Sequence, residues 1–330
     1  MGRITMDDIA RELGVSKNTV SRALRGLSGV SEATGSKILA YATDNGYQFK
    51  RNDGAMLQIA MVYKKSLTND VIFWPSVLSG IVEYATNRGV SLCTFTVEQK
   101  TDNDLLASIK KHAIDGVMVI NDIDPDLLAG LAAWSKPIVV VDSYSDGIDC
   151  DFVNTDNSNG IYKGISFLAQ NNHKRIGYVG VKHSAVSYQS RYEAYLHYMN
   201  RFGLTRNEDY IWMEADWSDR EYFQSKIVML ANRELAPTAW ICVNDTIAMT
   251  FSQALTENGI RIPEDMSIVG FDNSILPQAP PFTTLDVQKK ELGQRALEQL
   301  INRIQNPKRP YTSVFINTTL IVRDSVRRLP

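Results

Sequence analysis

The chain is short of almost everything that marks a secreted, metal-dependent or catalytic protein. It has three cysteines in 330 residues (Cys93, Cys150 and Cys242), far apart and odd in number. That favours buried thiols in a reducing cytoplasm over disulfides or a metal site. Its four histidines (His112, His173, His183 and His197) have no ligand spacing, so neither metal nor cofactor is expected. No apolar run reaches membrane-spanning length and the N-terminus has no signal-peptide pattern, which leads us to expect a cytoplasmic location and no membrane partner. G-x-S-x-G, the phosphate loop and G-x-G-x-x-G are all missing, so no nucleophile or phosphate cradle announces an enzyme. Net charge is also scarce, at −2.

That near-neutrality hides an asymmetry. Residues 1–51 carry eight Lys/Arg against five Asp/Glu, so a basic head precedes a mildly acidic body. This suits a nucleic-acid module joined to something else. Within the head, Thr5 and Asp8 have the spacing of a capping box. Ile9, Ala10 and Leu13 form an apolar stripe, and Gly14 suits a left-handed stop. Ser16 then caps a second helix whose Val20, Ala23 and Leu24 point inward. Lys17, Asn18, Ser21, Arg22 and Arg25 are left facing solvent. A third helix opens at Ser31, uses Ile38, Leu39, Ala42 and Tyr47 as apolar positions, and ends at Gly46. A helix pair joined by a tight turn, with a polar second helix, is the helix-turn-helix pattern that enters the major groove. Arg22 can bond guanine bidentately, Asn18 can pair with adenine, and the hydroxyls can hold phosphates.

Beyond residue 58 the rhythm becomes strand–helix alternation. Strands are expected at Ile59–Tyr63, Val90–Phe95, Gly116–Ile120, Pro137–Val141, Ile176–Gly180, Tyr210–Met213, Ala239–Val243 and Met266–Phe271. Helices are expected at Val77–Asn87, Leu105–Lys111, Leu127–Ala133, Gly160–Gln170, Arg191–Phe202, Glu221–Leu230 and Ile247–Asn258. Short, continuous β-branched runs are what strands buried on both faces of a parallel sheet look like. The expected fold class is α/β: an N-terminal three-helix helix-turn-helix headpiece and a core of two doubly wound halves.

Residues 3–47 resemble the headpiece of the LacI/GalR family of transcriptional regulators. The family pattern is matched at Thr5, Asp8, Ile9, Ala10, Leu13, Gly14, Val15, Ser16, Thr19, Val20, Ser21 and Arg22. Gly35 departs from it, standing in the first turn of the third helix where the family has a charged residue. The resemblance continues through "DGVMVI" at Asp115, "NNHKRIGYVG" at Asn171–Gly180, "VNDTIA" at Val243, "RIPEDMSIVGFDN" at Arg261–Asn273 and "PPFTTLDVQKKELGQRA" from Pro280. It implies a headpiece over 1–48, a linker over 49–58 and a type I periplasmic-binding-protein-like core over 59–330. The core would comprise an N-subdomain (about 59–156 and 287–318) and a C-subdomain (about 157–286 and 319–330). The chain would cross between them near Asp156, Leu285 and Thr318.

The same resemblance makes Lys17, Asn18 and Arg22 base-reading residues, and Thr5, Ser16, Thr19, Ser21 and Ser31 phosphate contacts. In the core it points to Arg191 as a bidentate anchor, to Asn244 and Asp272 as hydrogen-bonding strand-end residues, and to Phe73, Trp74 and Trp217 as stacking surfaces. Asp142 is a further candidate. Plainer roles stand beside these: core aromatics for Phe73 and Trp217, a dimer seam for Trp74, a loop cap for Asp272 and a surface ion pair for Arg191. The implied protein is a repressor of a carbohydrate-utilisation operon, not an enzyme. It would act as a homodimer on pseudo-palindromic double-stranded operator DNA, with a small sugar-like effector between the subdomains. Phosphosugars and nucleobases also fit such a core, and a soluble sugar-binding protein without a DNA role is disfavoured by the headpiece.

The linker departs most. Residues 47–58 lack the family's Pro-Asn and Ala-Arg, contain the turn signal Asp53-Gly54, and are about five residues short. Either Met56 or Leu57 serves a truncated hinge helix, or no hinge forms and Lys50 and Arg51 add phosphate contacts; the second is favoured.

Overall fold

The computed structural model describes residues 4–24, 29–45, 47, 56–70, 72–98, 103–145, 147–181, 185–215, 220–231, 234–274 and 281–330. Three helices come first: α1 (Met6–Glu12), α2 (Lys17–Leu24) and α3 (Glu32–Asp44). Thr5 and Asp8 make the expected capping box: the Thr5 N–H donates to Asp8 Oδ2 (2.9 Å) and the Asp8 N–H donates to Thr5 Oγ1 (3.3 Å). Gly14 adopts φ +62°, a left-handed angle that lets the chain turn without a Cβ penalty. Ser16 and Ser31 cap the next two helices, accepting from the N–H groups of Thr19 (3.0 Å) and Thr34 (3.2 Å). Ile9, Ala10, Val20, Ala23, Leu24, Ile38, Ala42 and Tyr47 are buried and make the small core.

A doubly wound run follows: β1 (Gln58–Lys64), α4 (Phe73–Arg88), β2 (Ser91–Val97), α5 (Asn103–Lys110), β3 (Gly116–Ile120), α6 (Pro125–Ala132), β4 (Ile138–Val141) and β5 (Asp151–Thr155). A second run comprises α7 (Asn157–Gln170), β6 (Ile176–Val179), α8 (Val186–Arg201), β7 (Ile211–Trp212), α9 (Arg220–Ile227), β8 (Ala239–Cys242), α10 (Asp245–Glu257), β9 (Ser267–Asp272) and β10 (Thr283–Asp286). The chain ends with α11 (Lys289–Gln305), β11 (Ser313–Ile316) and β12 (Thr319–Ile321). The two six-stranded sheets have the orders β11-β5-β4-β3-β1-β2 and β12-β10-β9-β8-β6-β7. Neighbouring strands run parallel from β2 to β5 and from β7 to β10, while β12 is antiparallel to β10. Every residue of β3, β4, β6, β8 and β9 is buried, as two-sided coverage by helices requires.

The chain divides into two units, Met1–Asn154 with Lys289–Val314 and Thr155–Gln288 with Phe315–Pro330. In the first unit α4 and α11 cross closely because glycines meet backbone there. A Cβ on Gly80 would run into the Lys290 carbonyl, and one on Gly293 into that of Val77. Buried Arg303 on α11 donates through Nε and Nη2 to both oxygens of Asp151 on β5 (2.7 and 2.9 Å). This pair ties the last helix to the strand that β11 joins.

Several element boundaries differ from the sequence reading. The helix expected at Arg191 begins five residues earlier, at Val186, because the run Val186–Ser190 has no apolar stripe to reveal it. Strands β5, β10, β11 and β12 and helix α11 are added. Of the linker only Met56, Leu57 and Gln58 are described, so the hinge alternatives, Lys50 and Arg51 among them, lie outside the described residues. Met56 is 51% exposed and Leu57 is buried. Gly35 lies inside α3 with open space around its Cα hydrogens, so no contact demands glycine there.

Candidate functional site

Two groups of residues carry the candidate chemistry, and the first is the exposed face of α2. Its helical period puts Val20, Ala23 and Leu24 in the core and Asn18 and Arg22 on the opposite side, with Ser21 flanking them and Lys17 exposed in the first turn. Lys17 Nζ pairs with Asp7 Oδ2 at 2.7 Å, an exposed contact that a phosphate or base can replace at little cost. The Arg22 guanidinium lies along Gly29, where an added Cβ would come within 3.0 Å of Nη2. The hydroxyls are arranged in capping pairs: Thr5 Oγ1 donates to Asp8 Oδ2 (2.6 Å), Ser16 shares a hydrogen bond with Thr19 (2.8 Å), and Ser31 with Thr34 (2.7 Å). All of these sit at or near helix N-termini, where N–H groups and the helix dipole favour an anion.

The second group lies at the carboxyl ends of strands in the second unit, where open parallel sheets bind ligands. Arg191, on the second turn of α8, is 1% exposed. Its Nε donates to Asn157 Oδ1 (2.8 Å) and its Nη1 to the Val243 carbonyl (2.7 Å). Its Nη2 pairs with Asp272 Oδ1 at 3.1 Å. One face of the guanidinium rests on Phe271, 3.7 Å from the ring centroid, while Tyr188 covers it at 5.5 Å. One cation thus ties together the ends of β8 and β9 and the start of α7. The ion pair considered for Arg191 is real, but it is buried and not on the surface.

Asp272 and Asn273 both have positive φ, +97° and +50°. Consecutive non-glycine residues in this region are strained, and such strain collects at functional sites. Asn244 caps α10, accepting from the Ile247 N–H (2.9 Å), and its Nδ2 donates to the Tyr188 hydroxyl (2.7 Å). The cap fixes which end of the amide is the donor. The carboxylate of its neighbour Asp245 is taken up by the Thr284 hydroxyl (2.8 Å) and the Ser274 N–H (2.7 Å).

In the first unit, Asp142 follows β4 with φ +55° and is 5% exposed. Ser143 donates to Asp122, and Asn154 Nδ2 donates to the Ser143 carbonyl (3.2 Å). Phe73 and Trp74 open α4, both buried and edge-to-face at 5.0 Å, with Lys289 Nζ 5.8 Å from the Phe73 ring. Asp70 accepts from the N–H groups of Ile72 and Phe73 (both 2.8 Å) and so fixes this first turn. Trp217 lies outside the described residues. Arg191, Asn244 and Asp272 therefore meet in one unit, and Asp142, Phe73 and Trp74 belong to the other.

Sequence reading missed Tyr188, Asn157 and Phe271. The i,i+3 spacing of Tyr188 and Arg191 was available once the helix start moved back. Nothing local announces the other two.

Two of the three thiols are buried and held protonated. Burial pushes the Cys150 thiol up to about 12, helped by Asp151 and Asp149, and burial with nearby Asp245 raises that of Cys242. Among the described residues no cluster of His, Cys, Asp or Glu can hold a metal ion, and no helix is long and apolar enough to cross a membrane.

Comparison with known proteins agrees with this geometry. Residues 5–48 match the family described as bacterial regulatory proteins, lacI family, and residues 165–326 match the periplasmic binding protein-like domain. The chain is 31% identical over 342 residues to the HTH-type transcriptional repressor PurR of Photobacterium profundum, covering 98% of this chain and 99% of that protein. The repressor PurR of Actinobacillus pleuropneumoniae is also 31% identical, over 339 residues with the same coverage. Among solved structures, the transcriptional regulator CelR–cellobiose complex has a TM-score of 0.71 at 23% identity, covering 98% of this chain and 100% of that one. The lac repressor dimer bound to operator and the anti-inducer ONPF has a TM-score of 0.70 at 23% identity, covering 99% and 100%. The headpiece, the two parallel sheets and full-length identity to repressors lead to one assignment: this chain belongs to the LacI family of DNA-binding transcriptional regulators.

Proposed function

We propose that this protein represses a carbohydrate-utilisation operon and that a neutral, ring-shaped effector, a sugar, controls its operator affinity. Two headpieces on a homodimer would read a pseudo-palindromic site. In each, Lys17, Asn18 and Arg22 would contact base edges, and Thr5, Ser16, Thr19, Ser21 and Ser31 would hold phosphates. The observation that carries the effector class is the buried Arg191–Asp272 pair. Its charges cancel within the protein, so the strand ends present hydrogen-bonding groups without a net cation. That suits hydroxyls and opposes a phosphorylated ligand, which needs uncompensated positive charge. Asn244, Asp142, Phe73 and Trp74, with Trp217, complete the proposed effector contacts.

A second reading is a nucleobase, favoured by the two aromatic rings, Phe271 and Tyr188, gathered at Arg191. Thermal unfolding of the full chain with ribose, glucose, cellobiose, adenine and the phosphates of the sugars separates these readings. A ligand at 100 times its Kd adds about 2.7 kcal/mol of stability. A shift with a neutral sugar, followed by a change in operator affinity with that sugar, is expected. A shift with adenine alone selects the second reading, and a shift with sugar phosphates alone refutes the neutral-ligand argument.

A further inference from the structure

The tail that follows β12 is fastened to the second unit by paired bonds. Arg323 exchanges backbone bonds with the Thr283 hydroxyl, its N–H donating to Oγ1 and its carbonyl accepting from it (both 2.9 Å). Ser325 Oγ accepts from the Thr283 N–H (2.8 Å) and donates to the Ile268 carbonyl (2.6 Å). With its backbone fixed in this way, the Arg323 guanidinium spans two acceptors. Its Nη1 donates to the Phe282 carbonyl (2.7 Å) and its Nη2 to Asn273 Oδ1 (2.6 Å). Asn273 is held on its other side as well. Its Nδ2 donates to Asp286 Oδ1 at the end of β10 (3.0 Å), and its N–H donates to Thr284 Oγ1 (3.3 Å). A cation on Oδ1 and a carboxylate on Nδ2 leave one orientation for the amide, and both bonds are charge-assisted. Asn273 (φ +50°) directly follows Asp272 (φ +97°), whose carboxylate meets Arg191 at 3.1 Å. Successive positive-φ residues persist only where surrounding contacts over-determine them. Arg191 holds this turn on the Asp272 side, and Arg323 with Asp286 holds it on the Asn273 side.

We propose that Arg323 is a positioning residue for the strand-end cluster: by holding Asn273 it fixes the turn in which Asp272 faces Arg191. It acts through that turn and not by touching an effector. Arginine suits the task because its planar fork meets two acceptors at once, here at the two ends of the connection from β9 to β10; the point charge of a lysine would not. The C-terminal tail, 50 positions from Asn273, thereby sets the geometry of the cluster. That the cluster receives an effector rests on the function proposed above; that Arg323 places Asp272 does not.

The test is a urea-unfolding cycle on the full chain with Arg323→Met and Asp272→Asn, singly and together. If Arg323 holds Asp272 in place, the contact with Arg191 is already weakened in Arg323→Met. Asp272→Asn then lowers the midpoint in that background by less than about half as much as in wild type. Equal shifts in the two backgrounds overturn the inference. Ser325→Ala is the comparison for a merely loosened tail, since it cuts bonds to Thr283 and Ile268 and leaves Asn273 untouched. It is expected to lower stability while Asp272→Asn keeps its full cost. A loss of coupling there equal to that in Arg323→Met also overturns the inference. Arg323→Gln, read by the same criteria, replaces Arg323→Met if that variant folds poorly. Binding is then titrated in the same proteins with ribose, glucose, cellobiose and adenine. The compound that binds wild type is expected to bind Arg323→Met about tenfold more weakly and Ser325→Ala equally well. Unchanged affinity in Arg323→Met counts against the inference. A panel that binds no protein refutes the proposed effector class, and the unfolding cycle still decides the role of Arg323.

Discussion

Replacing Asp272 by Asn keeps the shape of the side chain and removes its charge. Arg191, 1% exposed, then keeps, among the described residues, only its neutral acceptors on Asn157 and Val243. Removing one member of a buried pair costs about 3–5 kcal/mol. The Asn oxygen keeps a partial negative charge facing Nη2 and Asn tolerates positive φ, so the cost should fall at the lower end, about 3 kcal/mol. Ala at this position loses the acceptor and suits φ +97° poorly, which adds roughly 1–2 kcal/mol. At about 2–4 °C per kcal/mol for domains of this size, Asp272→Asn should lower Tm by roughly 6–12 °C and Asp272→Ala by more. Arg191→Met supplies the decisive background. With the cation gone, Asp272→Asn should cost under about 1 kcal/mol, a coupling of about 2 kcal/mol or more. Urea unfolding of the four proteins measures it. Operator affinity should survive in folded Asp272→Asn while effector-induced change in that affinity is lost. Equal costs in both backgrounds, or normal effector release by the variant, would refute the reasoning.

Two further outcomes are expected. Arg22→Ala should weaken operator binding by about 1–3 kcal/mol and relax base preference at one position; a gel-shift titration with unchanged affinity contradicts the base-reading assignment. Burial raises the Asp151 carboxyl, but hydrogen bonds from Arg303 and the Thr312 N–H outweigh it, so its pKa lies below the ordinary value. Its contribution is fully present above the unfolded value of about 3.9 and is lost as pH falls through the lower folded value. Asp151→Asn should therefore be less stable at neutral pH and show a shallower acid-unfolding curve than wild type. Parallel acid curves in circular dichroism count against that account.

The headpiece was legible because its information is local. Thr5 with Asp8, Ser16 with Thr19 and Ser31 with Thr34 are capping contacts three residues apart, and the inward and outward faces of α2 follow from a period of 3.6. The buried strands β3, β4, β8 and β9 were legible as short, continuous apolar runs, rich in β-branched residues in β3 and β4. Strand β5 was not, because Asp151-Phe-Val-Asn-Thr155 carries polar residues that make sense only once Arg303, 152 positions away, meets Asp151. The start of α8 was hidden for a related reason: Val186–Ser190 is anchored by what Tyr188 and Arg191 touch, not by its own pattern.

Sequence alone determined that the chain begins with a DNA-reading helix pair and continues as a doubly wound α/β protein, since caps and hydrophobic periods act over a few residues. Tertiary structure decided what the strand-end polar residues do. Arg191 reaches residues 34, 52 and 81 positions distant, and only their convergence turns an expected ligand anchor into a charge-balanced clamp beneath Tyr188. Pairwise electrostatics and hydrogen-bond satisfaction depend on distance in space, which sequence spacing does not encode.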